Sequence, residues 1–345
     1  MPARTLRPMR ALAYGADDSF AVVERPDPAP GPAQVVVAVE RCGICGSDLH
    51  LKASRLLPAG AVLGHEFGGV IASTGDGVTG WSEGDRVAVL PMARCGTCEP
   101  CLRGDDQLCL DQARTALGLG FNDGAFAEYV ATDASACFSM PDAMTVEQGA
   151  LVEPYAVGLH AVRRSRADAG STVGVIGAGP IGLMTLAALR REGVEHVVVA
   201  ERSDRRAEVA ARLGAEVVLD DANRLSTAFA GPLDVIFECA GTAATPQVAL
   251  NEVRSGGEVV LVGVAGPMDS ISLLGVLWVV KEVDVHPCFA YTTAEFGEAV
   301  EAVAAGTLRA ASLGSDVRPL DAADTAFTEL VQPGGPVKVL LAPGT

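Results

Sequence analysis

The chain of 345 residues carries 43 acidic and 26 basic side chains, a formal charge of −17 and a pI near 4.7. That balance excludes nucleic acid as an expected partner, because phosphate contacts need clustered Lys and Arg to displace condensed counterions. A mean hydropathy of +0.30 supplies apolar surface to offset chain entropy, so disorder is excluded too, and the length suits about two domains.

No stretch reads as a membrane span, which needs about 20 apolar residues. The longest run, 271–280, stops at Lys281-Glu282 and reads as a buried helix. Arg4, Arg7 and Arg10 precede an apolar stretch that ends at Asp17-Asp18, too short for a signal-peptide core, so the expected location is the cytoplasm. Nine cysteines in such a chain point to reduced thiols acting as metal ligands rather than to a disulfide framework.

In chain order, apolar runs at 34–39, 68–72 and 86–90, punctuated by Gly and Pro, predict an irregular, mainly β first domain. Thr145 with Gln148 three residues on forms a capping-box pattern that opens a helical linker. Six runs follow, at 172–176, 196–200, 216–219, 234–237, 258–262 and 283–285, separated by helical stretches. They predict a doubly wound parallel sheet, so the fold class is α/β. Helical segments near 294–305 and 325–331 and a β run at 336–341 form a tail expected to return to the first domain.

Gly177-Ala-Gly179-Pro180-Ile181-Gly182 lies between the first of those strands and a helix. The glycines suit a tight turn, a close approach to a pyrophosphate and close helix–strand packing, while the helix N-terminus favours the phosphates. Nineteen residues past Gly182 the second strand ends at Glu201, placed for ribose hydroxyls, and a carboxylate there favours NAD over NADP. Arg202, Arg205 and Arg206 just beyond carry the opposite signal.

Two clusters carry metal chemistry. Cys95, Cys98, Cys101 and Cys109 fall within fifteen residues, the spacing of a closed structural zinc site, with an iron–sulfur cluster as the competing reading. Cys42-Gly-Ile-Cys45-Gly-Ser47-Asp48-Leu-His50 and Gly64-His65-Glu66 supply thiol, imidazole and carboxylate. Beside a hydride-transfer cofactor these suggest an open zinc site; the Cys42/Cys45 pair also permits a redox reading, although 35–39 leads into a Gly-rich turn rather than a thioredoxin-like unit.

With Asp123-Gly-Ala-Phe-Ala-Glu-Tyr-Val130, Leu151-Val-Glu153-Pro154 and Val157-Gly-Leu-His-Ala161, these segments resemble the zinc-dependent medium-chain alcohol dehydrogenases, in particular the sorbitol and 2,3-butanediol dehydrogenase branch. The resemblance implies a GroES-like catalytic domain, 1–154 and 291–345, and a Rossmann domain, 155–290. It implies two zinc ions per chain, the catalytic one held among Cys45, His65, Glu66 and Glu153, either carboxylate ligating directly or through water. Asp48 would orient His65, and Ser47 and His50 would carry the proton. Cofactor contacts are implied at Ile181, Glu201, Arg206, Val262, Gly263 and Val264, and also at Phe289 and Tyr291. Between the last two, Ala290 stands where the sorbitol branch carries an arginine, which leans toward a less hydroxylated secondary alcohol or ketone; Phe121 and Leu56-Leu57 are pocket candidates. An amino alcohol, a cyclitol or a biosynthetic intermediate is the alternative substrate, and a non-catalytic nucleotide-binding redox sensor the alternative role. A homodimer or homotetramer is expected, paired through an edge at 257–264 or 283–290.

Overall fold

The computed structural model describes residues 8–111, 116–266, 269–308, 310–332 and 334–344; Arg4 and Arg7 lie outside them. Strands β1 (Pro8–Tyr14) and β2 (Phe20–Pro26) form an antiparallel ribbon. The first-domain sheet uses β3 (Gln34–Gly43), β4 (Glu66–Thr74), β5 (Arg86–Val89), β6 (Tyr129–Asp133) and β7 (Cys137–Ser139). Helix α1 (Gly46–Ser54) interrupts it after β3, and α2 (Val146–Arg163) leads out of the domain. Thr145 caps α2 as predicted: its Oγ1 accepts the Gln148 N–H at 3.2 Å, and Gln148 Oε1 accepts the Thr145 N–H at 2.9 Å.

The second sheet comprises β8 (Thr172–Ile176), β9 (His196–Ala200), β10 (Val217–Leu219), β11 (Leu233–Glu238), β12 (Val253–Leu261) and β13 (Asp284–Pro287). All five pairings are parallel, in the order β10-β9-β8-β11-β12-β13. Helices α3 (Pro180–Arg191), α4 (Asp204–Arg212), α5 (Thr245–Glu252) and α6 (Gly275–Lys281) connect these strands. Strand order reverses between β8 and β11, which opens a crevice at their carboxyl ends.

The tail, α7 (Thr293–Ala304), β14 (Asp316–Pro319), α8 (Ala323–Leu330) and β15 (Val339–Ala342), returns to the first sheet. There β15 pairs antiparallel with β3, giving the order β14-β15-β3-β4-β5-β7 with β6 also on β3.

Three expectations need correction. The 271–280 run is not a buried helix: none of the α6 side chains is buried, and Val276, Val279 and Val280 are 66 %, 75 % and 73 % exposed. Residues 257–264 are not a sheet edge, because β12 is paired on both sides; β13 is the edge. Nor does a loose Gly-rich turn follow 35–39: β3 runs on through Cys42 and Gly43, and α1 starts three residues later. Among the described residues no helix is long and apolar enough to cross a membrane.

Candidate active site

Backbone pairing of β3 with β4 sets Gly43 opposite Glu66 and Cys42 opposite Phe67, so the metal-ligand types converge where the two strands meet α1. A Cβ on Gly43 would lie 2.1 Å from Glu66 Oε2, so a larger residue there would have to push that carboxylate aside. Cys45 is the N-cap of α1, and Asp48 closes that first turn by accepting the Cys45 N–H at 2.9 Å. The thiol of Cys45, the ring of His65 and the carboxylate of Glu66 then lie with ligand atoms all within 4.8 Å of one another.

Several atoms of the cluster are buried without a hydrogen-bond partner among the described residues: Glu66 Oε1, His65 Nδ1 and Asp48 Oδ1. An orphaned carboxylate oxygen beside a half-buried thiol and an imidazole is the donor set that a divalent cation completes. Asp48 faces His65 Nδ1 at 3.7 Å and Ser47 Oγ faces Nε2 at 3.3 Å, so both ring nitrogens are flanked. Burial lifts the Asp48 carboxyl to about 6. It opposes a charged His65, yet Asp48 and Cys45 outweigh it and hold the ring well above its usual value.

Glu153 sits inside α2, 7 % exposed, and its Oε1 accepts the Tyr291 hydroxyl at 2.8 Å. Burial raises Glu153 to about 7, with His65 pulling the other way. Glu153 is not one of the three clustered ligand atoms, whereas Glu66 is. Tyr291, grouped by sequence with the cofactor residues, is fully buried and is spent on Glu153 instead. Its neighbour Ala290 is in the left-handed region (φ 50°), and Phe289 is 52 % exposed. Among the pocket candidates, Leu56 and Phe121 are exposed and Leu57 is buried.

Sequence reasoning missed Lys338. It is 1 % exposed, ion-paired to Glu66 Oε2, and donates to the Ile44 carbonyl at 2.9 Å. Burial disfavours its charge, but Glu66 and Cys45 raise its pKa overall. The available signal was a single cation inside the apolar run Pro336-Val-Lys-Val-Leu-Leu341.

In the four-cysteine loop the Sγ atoms of Cys95 and Cys101, and of Cys98 and Cys109, are 3.9 Å apart. That matches the edge of about 3.8 Å in a tetrahedron with zinc–sulfur bonds of about 2.3 Å. Backbone N–H groups of Cys98 and Cys95 point at the Cys95 and Cys109 sulfurs at 3.3 and 3.4 Å. The loop also reaches the active site: Arg94 Nη2 donates to the Tyr291 carbonyl at 3.0 Å, and Asp106 accepts the Thr293 N–H at 3.1 Å.

At the crevice, Gly177 turns the chain with φ 92°, and α3 starts at Pro180 behind the N-cap Gly179, with no side chain capping its free N–H groups. A Cβ on Gly182 would lie 1.9 Å from the Gly177 carbonyl, whereas one on Gly179 would meet nothing within 4 Å. That is the open cradle that a pyrophosphate requires. Glu201 Oε2 accepts the Ala178 N–H and Oε1 the Ser203 N–H, both at 2.8 Å, which fixes the carboxylate beside the turn. Arg206 is half-buried on α4, and Val262, Gly263 and Val264 follow β12 on the same side of the sheet.

A mixed sheet and a parallel sheet, with a thiol–imidazole–carboxylate centre and a dinucleotide crevice, define a metal-dependent dehydrogenase. Residues 31–142 match the alcohol dehydrogenase GroES-like domain and residues 180–305 the zinc-binding dehydrogenase domain. Sorbitol dehydrogenase of Bacillus subtilis is 33 % identical over 311 residues, 87 % of each chain. The crystal structure of 2R,3R-butanediol dehydrogenase from Bacillus subtilis superposes with a TM-score of 0.85 at 31 % identity, covering 97 % of this chain and 99 % of that one. A Sinorhizobium meliloti 1021 protein solved bound to NADP gives 0.89 at 31 % identity, covering 98 % and 100 %. The chain belongs to the zinc-containing medium-chain alcohol dehydrogenase family. It is a zinc-dependent, NAD(P)-dependent dehydrogenase of the alcohol and polyol type, acting on CH–OH donors.

Proposed function

We propose that the enzyme interconverts a secondary alcohol or vicinal diol with its ketone, using NAD. The observation that carries the substrate reading is Ala290: a methyl group stands beside Tyr291 where the polyol branch has a cationic clamp, so little in that segment would hold further hydroxyls. Glu201 supports NAD, since a carboxylate fixed at the end of β9 repels a 2′-phosphate.

Cys45, His65 and Glu66 would hold the catalytic zinc, with Glu153 alongside. Bound there, the ion would supply Lewis acidity toward the alcohol oxygen, and the nicotinamide would supply the hydride acceptor. Tyr291 keeps Glu153 oriented through its hydroxyl. Ser47 stands at the inner end of a proton path. His50, exposed one turn further along α1, stands at the solvent end, and no hydrogen bond joins the two among the described residues. Cys95, Cys98, Cys101 and Cys109 would hold the structural zinc. A redox-sensor role is disfavoured because burial pushes the Cys42 thiol well above its usual pKa, away from the reactive thiolate.

Self-association, as a homodimer or homotetramer, draws support from the free edge of β13 and the exposed apolar α6 next to it; two copies of that edge can pair about a two-fold axis. Cytoplasmic residence is part of the same reading. The test is a substrate panel of 2,3-butanediol, sorbitol, threonine and simple secondary alcohols with NAD+ and NADP+, alongside metal analysis and light scattering. Turnover of the diol or simple alcohols with NAD+ supports the reading. Preference for sorbitol, or for NADP+, overturns the corresponding part.

A further inference from the structure

Glu238 ends β11 beside the crevice and is 1 % exposed. No Lys, Arg or His pairs with it among the described residues. Its Oε1 instead gathers three neutral donors: the N–H groups of Ala240 and Gly241 at 2.9 and 3.0 Å and the Thr245 hydroxyl at 2.8 Å. Two of the three belong to the turn that this strand enters and the third opens α5, so the carboxylate ties the turn to the start of the following helix. Burial raises its pKa, and the hydrogen bonds from Thr245, Gly241 and Ala240 offset part of that rise.

The turn it closes is wedged between the two loops flanking the crevice. On one side, a Cβ on Gly177 would lie 3.0 Å from Ala240 Cα, so the first glycine of the dinucleotide loop rests on this turn. On the other, a Cβ on Gly263 would lie 2.4 Å from the Gly241 N and 2.8 Å from Glu238 Oε2. The Glu238 carbonyl also accepts the Val262 and Gly263 N–H groups at 2.9 and 2.8 Å. One residue thus spans the carboxyl ends of β8, β11 and β12, where an open α/β sheet receives its ligand.

We propose that Glu238 is a positioning residue for the dinucleotide, setting the spacing between the 177–182 loop and the 262–264 segment through the 239–241 turn. The proposal rests on the NAD(P) assignment above. Its test is NADH binding by fluorescence titration of the zinc-loaded protein, with zinc content and steady-state kinetics measured in parallel. Glu238→Ala should raise the NADH Kd about tenfold or more and the KM for NAD+ in step, while kcat at saturating cofactor changes far less. Thr245→Val, which removes one donor and leaves the carboxylate in place, should raise Kd about threefold to fivefold. Glu238→Gln, which keeps an acceptor at Oε1, should restore binding to within about threefold of wild type. Wild-type affinity in both Glu238→Ala and Thr245→Val overturns the proposal, as does a Glu238→Gln variant as weak as Glu238→Ala. If Glu238→Ala fails to fold, a Thr245→Val variant of wild-type affinity, or a Glu238→Gln variant weakened about tenfold or more, overturns the proposal. Absence of NADH binding by the wild-type protein would instead remove the cofactor assignment itself.

Discussion

Lys338 and Glu66 form an ion pair that is 1 % exposed on both sides and closes 272 residues of sequence, joining β4 to the segment just before β15. Its cation meets the carboxylate oxygen opposite the one left free for metal. Lys338 therefore fixes which face of Glu66 is available. Lys338→Met should strand a buried carboxylate and cost about 3–5 kcal/mol of stability, the price of breaking such a pair. Thermal unfolding of the zinc-loaded enzyme reads this directly. The double variant Glu66→Gln/Lys338→Met should recover part of the stability but not the activity.

The four-cysteine loop should matter beyond its own folding. Cys98→Ser is expected to lower zinc from about two to about one per chain, measured by elemental analysis. Because Arg94 and Asp106 hold the backbone of Tyr291 and Thr293, kcat should fall as well, through loss of the Tyr291–Glu153 contact. Unchanged kcat with one zinc lost would show that the loop is mechanically separate from the active site.

A pH-dependent term comes from Glu295, the N3 residue of α7. Burial works against its charge, but hydrogen bonds from His160 at 2.8 Å and from the Thr292 N–H at 2.8 Å outweigh burial and lower its pKa. A depressed acid adds stability above its unfolded pKa, and the contribution is lost as pH falls through the lower, folded value. The wild-type protein should therefore lose stability below about pH 4.3 partly through this group. Glu295→Gln should be less stable at pH 7 by about 1–2 kcal/mol and should show a shallower acid limb in unfolding experiments.

Glu201 anchors the Ala178 and Ser203 N–H groups with one oxygen each. Glu201→Ala should raise the KM for NAD+ about tenfold and narrow the gap to NADP+, since it removes both a hydroxyl acceptor and a repulsive charge. Kinetics with both nucleotides measure the ratio; an unaltered ratio would assign nucleotide choice to Arg202, Arg205 and Arg206.

Local pattern carried the sequence reading furthest where period and punctuation agree. All six strands of the parallel sheet lie within a few residues of their apolar runs, and Thr145/Gln148 capped the helix they were expected to cap. The family resemblance likewise grouped Cys45, His65 and Glu66, whose ligand atoms the fold brings within reach of one another. Long-range partners were not legible. Nothing in the local pattern of Lys338 names Glu66, and nothing near Tyr291 points to Glu153, because both pairs form only when the tail docks on the first domain. Apolarity without context misled at 271–280, where the same residues that suit a core lie on an exposed helix beside a sheet edge.

The return of the tail bears on biosynthesis. Cys45, His65 and Glu66 leave the ribosome early, but β15, which pairs with β3, and the lysine that neutralises Glu66 follow only after the whole parallel-sheet domain has been made. Domains commonly fold in the order of their synthesis. Here the nucleotide domain can complete itself first, while the metal centre waits as an unbalanced cluster of thiol and carboxylate. The Cys45–His65–Glu66 cluster is then expected to reach its final geometry only after the tail has docked, and a chain stalled before Lys338 would carry these ligands without the cation that sets Glu66.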